Sequence, residues 1–233
     1  TLIQTMNEDY RDILGYLPQD FGYYPQFNAY DFLMYFATLK GFSKKEAKDR
    51  VEMVLEMVNL TSEKKHKIKT FSGGMKQRLG IAQALLNDPK ILIVDEPTAG
   101  LDPKERANFK SILARCANDK IVILSTHIVS DIEYIATRNA IMKAGKIIDV
   151  GTTNELVKQI EGKVWSCVIP AHKMMDYEMR LRIINQRGED NNQISIRYLA
   201  DHSEVKGSIP AEPRLEDLYL WLFPQEDVER EGK

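Results

Sequence analysis

Two hydrophobic rhythms alternate along the chain. Short continuous apolar runs, bounded by proline, glycine or lysine, predict buried strands at residues 14–19, 91–95 and 121–125. Between the first two, apolar positions recur at helical spacing. Residues 30–39 are strongly apolar; Ala47, Val51, Val54, Leu55 and Val58 form one stripe, and Leu79, Ala82, Leu85 and Leu86 form another. From Lys90 onward strand and helix take turns, with a helix over 103–117 opened by Pro103, whose missing N–H costs nothing at a first helical position. Such alternation predicts parallel βαβ packing with helices on the sheet faces. A short helix over 130–136, a hairpin over 140–150 turning at Ala144-Gly145, and a helix to Ile160 with a Thr152/Glu155 capping box complete this part. Past Glu161, strands at 164–169, 181–184 and 193–199 with helices at 174–180 and 214–222 read as a small α+β appendage.

With 233 residues and 43% hydrophobic content, the chain is long enough for a substantial core. Its 32 basic and 34 acidic residues leave a net charge of −2, so no global field draws it to nucleic acid or anionic lipid. Nucleic acid is therefore not an expected partner. The Lys64–Lys69 run reads as a solvated connection. Cys116 and Cys167, on a helical and a strand segment, read as buried reduced thiols. No run approaches the roughly 20 apolar residues needed to cross a bilayer, and Thr1-Leu2-Ile3-Gln4 lacks a secretory pattern, so the expectation is a soluble chain.

Chemistry concentrates at a few positions. Ile91-Leu92-Ile93-Val94 runs straight into Asp95-Glu96-Pro97, placing two adjacent carboxylates at a buried strand end. Desolvation and mutual repulsion disfavour that pairing unless a cation or proton compensates, and Mg²⁺ is the natural candidate. Ser72-Gly73-Gly74 stands directly before a helix, where a capping hydroxyl and exposed N–H groups attract an anion. Gln19, Asp102 and the Ser125-Thr126-His127 strand end complete an ordered set.

In that order and spacing, these residues resemble the nucleotide-binding subunit of ATP-binding-cassette (ABC) transporters. Gln19 matches the family's Q-loop glutamine, Phe71-Ser72-Gly73-Gly74-Met75-Lys76-Gln77-Arg78 its signature motif, and Ile91 to Glu96 its Walker B strand with the following glutamate. Ala99-Gly100-Leu101-Asp102 matches the D-loop and Ser125-Thr126-His127 the switch-histidine loop. The resemblance covers residues 15–151. It implies an α/β fold: a partial P-loop-NTPase (RecA-like) core with an α-helical subdomain over about 22–88, core strands and helices over about 89–161, and a C-terminal α+β domain over 162–233.

The resemblance also implies roles. ATP and Mg²⁺ are the expected ligands, Asp95 and Gln19 the metal contacts, and Glu96, His127 and Gln19 the catalytic groups. Ser72, Gly73, Gly74 and Met75 contact the ATP of a second nucleotide-binding domain, homo- or heterodimeric, and Asp102 crosses that interface. Residues 22–87 resemble the part that contacts a membrane subunit, which implies a cytoplasmic location on the inner face of the membrane. Pro213-Arg214-Leu215-Glu216-Asp217-Leu218-Tyr219 resembles the C-terminal segment of bacterial exporters of drugs, antibiotics and bacteriocins. Two other readings are a soluble ABC ATPase of translation or DNA repair and a nucleotide-free regulatory module.

Nowhere does the sequence contain a G-x-x-x-x-G-K-[ST] phosphate loop, and Phe71 and Met75 replace the commonest leucine and glutamine of the signature. The expectation is a chain truncated at its N-terminus, Thr1 to Tyr10 resembling the segment just before the Q-loop. It is expected to be inactive alone, with the Ile91–Asp95 strand short of a neighbour and apolar surface uncovered.

Overall fold

The computed structural model describes residues 9–133 and 135–224. Residues 1–8, most of the segment read as preceding the Q-loop, lie outside them, as does Tyr134 within the helix expected over 130–136. Two compact units are present, one running to His127 and the other from Ile128.

The first unit is built on a three-stranded parallel sheet, with β1 (Leu14–Leu17), β2 (Ile91–Asp95) and β3 (Ile121–Ser125) in that order. Register pairs Leu17 with Val94 and Val94 with Leu124. Strand β2 therefore has a neighbour on each side, contrary to the expectation that it would lack one. Among the described residues, β1 and β3 are the two edge strands. Packing explains the order: Gly15 brings β1 so close to the helix before β2 that a methyl group there would lie 2.5 Å from the Ala84 carbonyl oxygen.

Between β1 and β2 lie three helices. Helix α1 (Ala29–Leu39) starts where the Asn28 side chain accepts from the Asp31 N–H, and α2 (Lys44–Met57) starts with a Ser43/Glu46 capping box. Helix α3 (Gly73–Ala84) begins at Ser72, whose hydroxyl accepts from the Met75 N–H at 3.2 Å. Helix α4 (Pro103–Cys116) crosses from β2 to β3 with Pro103 at its first turn. Phe32, Leu33, Val51, Val54, Leu55, Leu79, Ile81, Leu92, Val94, Phe109 and Ile112 are fully buried and form the core of this unit.

One sheet face is covered and the other is not. Leu17, Leu92 and Val94 are fully buried, whereas on the opposite face Tyr16 is 53% exposed, Ile121 63% and Ile123 50%. Parallel sheets are ordinarily covered on both faces, so this apolar surface is unusual.

The second unit opens with the short helix α5 (Val129–Ile132) and the β4 (Asn139–Lys143)/β5 (Lys146–Gly151) hairpin. Helix α6 (Thr153–Val157) has the expected Thr152/Glu155 capping box and ends in a 3-10 turn to Ile160. An antiparallel sheet in the order β7 (Arg182–Glu189), β8 (Gln193–Leu199), β6 (Val164–Pro170), β9 (Ile209–Pro210) follows, with α7 (Met174–Glu178) and α8 (Leu215–Leu222). This unit starts upstream of the boundary expected at Gly162. The reason is a shared core: Leu156 and Ile160 bury themselves with Val164, Leu199, Leu215 and Leu218, and Val129 and Ile132 pack against the same cluster. Both cysteines are free and buried.

Candidate functional site

Three strand ends lie side by side in the first unit. Gln19 follows β1 by two residues, Asp95 ends β2 with Glu96 directly after it, and Thr126 and His127 follow β3. In open α/β sheets the region beyond the carboxyl ends of the strands is where ligands bind.

Glu96 is the most constrained of these residues. Its backbone φ is +44°, a left-handed conformation that costs a side-chain-bearing residue about 1–2 kcal/mol, while its N–H still bonds the Ser125 carbonyl at 2.9 Å. That twist turns the carboxylate toward the loop after β3. There Oε1 accepts from the His127 N–H at 2.7 Å and lies 2.9 Å from His127 Nδ1, and Oε2 accepts from the Thr126 hydroxyl at 3.1 Å. The His127 side chain is 70% exposed, which leaves its second ring nitrogen toward solvent. Asp95 is only partly buried and Gln19 is exposed.

The described residues contain no group of three or more His, Cys, Asp or Glu side chains able to hold a cation. Mg²⁺ is usually held by one or two carboxylates together with phosphate oxygens and water, and Asp95 with the Gln19 amide fits that donor set.

A second cluster forms around the start of α3. Ser72 caps the helix through a lone pair, so its O–H remains a donor, and Gly73 lies exposed beside Leu101, whose Cδ2 would be 3.9 Å from a methyl group on Gly73. Asp102 caps α4, its Oδ1 accepting from the Glu105 N–H at 2.9 Å. The structure thus joins the Ser72–Met75 turn to the loop ending at Asp102, and separately joins Glu96 to His127.

Sequence reasoning missed Thr126 as a carboxylate partner and Glu105 altogether. Thr126 carried a signal in its place beside His127, whereas Glu105 reads as an ordinary first-turn acid of a helix. It also missed an aromatic patch: Tyr24, Phe27 and Tyr35 are exposed and touch one another, with ring centroids 5.3 to 6.2 Å apart. Among the described residues, no helix is long and apolar enough to cross a membrane.

The chain is similar to several known proteins. Residues 2–99 match the family model described as ABC transporter. The linearmycin resistance ATP-binding protein LnrL of Bacillus subtilis (strain 168) is 37% identical over 150 residues, covering 64% of this chain and 48% of that protein. Nod factor export ATP-binding protein I of Rhizobium sp. (strain N33) is 29% identical over 229 residues, covering 93% of this chain and 74% of the relative. A solved structure titled "Structure of ATP binding subunit of ABC transporter" superposes with a TM-score of 0.57 at 28% identity, covering 68% of this chain and 67% of that one. The chain spans about half the length of the first curated relatives it matches. Motifs, mixed α/β fold and relatives agree: over residues 2–99 the chain is similar to the ATP-binding domain of ABC transporters.

Proposed function

We propose that this chain is part of the nucleotide-binding subunit of an ABC exporter, which couples ATP binding and hydrolysis to passage of a substrate through a separate membrane subunit. The observation that carries this reading is the hydrogen-bonded pair of Glu96 and His127 beside Asp95 at the ends of adjacent parallel strands. A carboxylate and an imidazole held together there are equipped to manage the proton of an attacking water.

In this reading Glu96 is the general base and draws a proton from that water. A positioned base contributes about 10²–10⁴ in rate, or roughly 3–5 kcal/mol of barrier. His127 keeps Glu96 oriented through Nδ1 and presents its other ring nitrogen to the γ-phosphate. Asp95 and Gln19 would hold Mg²⁺, which would supply positive charge to the phosphate oxygens. Gln19 also senses the water, linking the site to the segment that follows β1.

The Ser72 hydroxyl and the N–H groups at Gly73 and Gly74, with Met75 in the same turn, face the ATP of a second nucleotide-binding domain, and Asp102 approaches the same partner. The exposed Tyr24, Phe27 and Tyr35 rings offer the membrane subunit an apolar docking surface on the cytoplasmic side. Names of relatives that include antibiotic resistance and Nod factor export support export as the direction. With no phosphate-loop pattern in its sequence, the 233-residue chain alone binds ATP weakly and hydrolyses it negligibly.

Calorimetric titration with a non-hydrolysable ATP analogue, on this chain and on the complete polypeptide that contains it, tests the assignment. Binding by the complete polypeptide and not by the shorter chain is the expected result. Failure of both to bind makes the protein a nucleotide-free module.

A further inference from the structure

We propose that Arg78 and Glu105 form a positioning pair that sets both the placement and the charge of the Ser72–Met75 turn. Glu105, on the first turn of α4, reaches back to α3. Its carboxylate lies directly against Gly74, where a methyl group would fall 2.6 Å from the carboxylate carbon. A carboxylate in that place opposes the approach of another anion to the same helix start.

Arg78 compensates it. Its Nε lies 3.3 Å from Glu105 Oε2, and the two side chains retain only 12% and 19% of their exposure. The same guanidinium donates to the carbonyls of Val58 and Asn59, at 3.3 and 2.9 Å, just past the end of α2. One side chain therefore ties the helical segment to α3 and to α4. Because the Glu105 N–H is in turn held by Asp102, the turn at Ser72 and the loop at Asp102 are fixed to one another. Neither residue touches nucleotide in this assignment; both act through the backbone of the turn. The inference rests on the reading that this turn receives a partner's ATP.

Charge compensation and simple bracing differ in their consequences. In the partly desolvated surroundings of Glu105, an uncompensated carboxylate beside a bound phosphate repels it strongly enough for about a tenfold loss of affinity. If the pair were only a brace, removing either partner would weaken the site in the same direction. If Arg78 neutralises Glu105, the two substitutions act in opposite directions.

The test uses the complete polypeptide and measures the ATP concentration giving half-maximal dimerisation by light scattering. R78Q is expected to raise it by about tenfold. E105Q is expected to lower it, and R78Q/E105Q to return it to within about threefold of the unsubstituted protein. Amide exchange across α3 reports whether each variant keeps its fold, and E105Q decides the matter even if R78Q unfolds. Weaker dimerisation in E105Q, or a double variant as impaired as R78Q, overturns the pair's electrostatic role and leaves the nucleotide assignment standing. An unsubstituted protein that never dimerises with ATP removes that assignment, and this inference with it.

Discussion

The Glu96 carboxylate accepts a 2.7 Å hydrogen bond from the His127 backbone N–H and stands 2.9 Å from the imidazole Nδ1 of the same residue. Glu96 and His127 are therefore one unit, and in the proposed assignment they are the base and the switch histidine. Glu96→Gln preserves an oxygen able to accept the His127 N–H, so the fold and ATP binding persist in the complete polypeptide. Hydrolysis is expected to fall by about 10²–10⁴. Single-turnover kinetics measure it, and an unchanged rate rules out Glu96 as the base.

Close backbone approach makes Gly15 intolerant of any side chain. A methyl group there meets the Ala84 carbonyl oxygen at 2.5 Å and Pro89 Cγ at 2.9 Å, and main-chain atoms cannot swing aside as a side-chain tip would. Gly15→Ala is expected to destabilise the first unit by about 1–3 kcal/mol. Urea unfolding followed by fluorescence tests this; a midpoint equal to that of the unsubstituted chain would show that α3 moves away freely.

Residues whose neighbours lie close in sequence were readable from the start. The strands at Ile91 and Ile121, the Pro103 helix and the Thr152/Glu155 cap announce themselves through local rhythm and local hydrogen bonds. Gln19, Asp95, Glu96 and His127 were nameable because the motif order is specific; the place of Thr126 beside His127 was readable too, but its bond to the Glu96 carboxylate joins two strand ends distant in sequence. What stayed hidden depends on distant packing. Glu105 reads as a first-turn acid until α3 lies across it, and the start of the second unit was missed because Leu156 and Ile160 choose partners as far away as Leu218. The β7 strand runs to Glu189 through polar residues, since pairing with β8 rather than apolar pattern extends it.

In the second unit, the segment read from sequence as an exporter signature has a structural task. Asp217 retains 4% of its surface and accepts from Arg197 NH2 at 2.6 Å, Arg197 Nε at 3.3 Å and the Arg214 N–H at 2.8 Å, which pins α8 to β8. Removing one member of a buried pair strands the other, at a cost of about 3–5 kcal/mol. Asp217→Ala is expected to lose stability on that scale, and Asp217→Asn less, because an amide oxygen can still accept. Thermal and urea denaturation distinguish the two; equal, small losses would mean that water reaches Arg197.

Lys120 gives the first unit a pH signature. It donates to Asp88 at 2.7 Å and to Asp119 at 3.2 Å, and the hydrogen bond to Asp88 holds Lys120 above its ordinary pKa of 10.5. The same bond holds Asp88 below its ordinary 3.8. For the depressed carboxyl, stabilisation is present above its unfolded value and is lost as pH falls through the folded one. For the raised amine, it is present below the unfolded value and is lost as pH rises through the folded one. Lys120→Met is therefore expected to flatten stability below about pH 4 and above about pH 10.5, by about 0.5 kcal/mol since Asp88 is largely exposed. Denaturant midpoints across pH check the two limbs, and an unchanged acid limb removes Asp88 as its source.

The uncovered sheet face predicts how the isolated chain behaves in solution. Leu14 with Ile91 and Ile121, and Tyr16 with Ile93 and Ile123, fall in two cross-strand rows on one face, and among the described residues β3 leaves an unpaired edge beside them. Burying such side chains is worth roughly 1.5–3 kcal/mol each, and an exposed apolar edge strand is a template for association. The 233-residue chain is expected to self-associate at micromolar concentration, faster in higher salt, where charge repulsion is screened. Ile123→Lys places a charge at the centre of the outer strand without entering the core, because the residue is 50% exposed. That substitution is expected to suppress association while leaving the unfolding midpoint within about 0.5 kcal/mol of the unsubstituted chain. Light scattering read beside urea denaturation separates the two effects. Association that persists unchanged in Ile123→Lys would move the sticky surface away from this sheet.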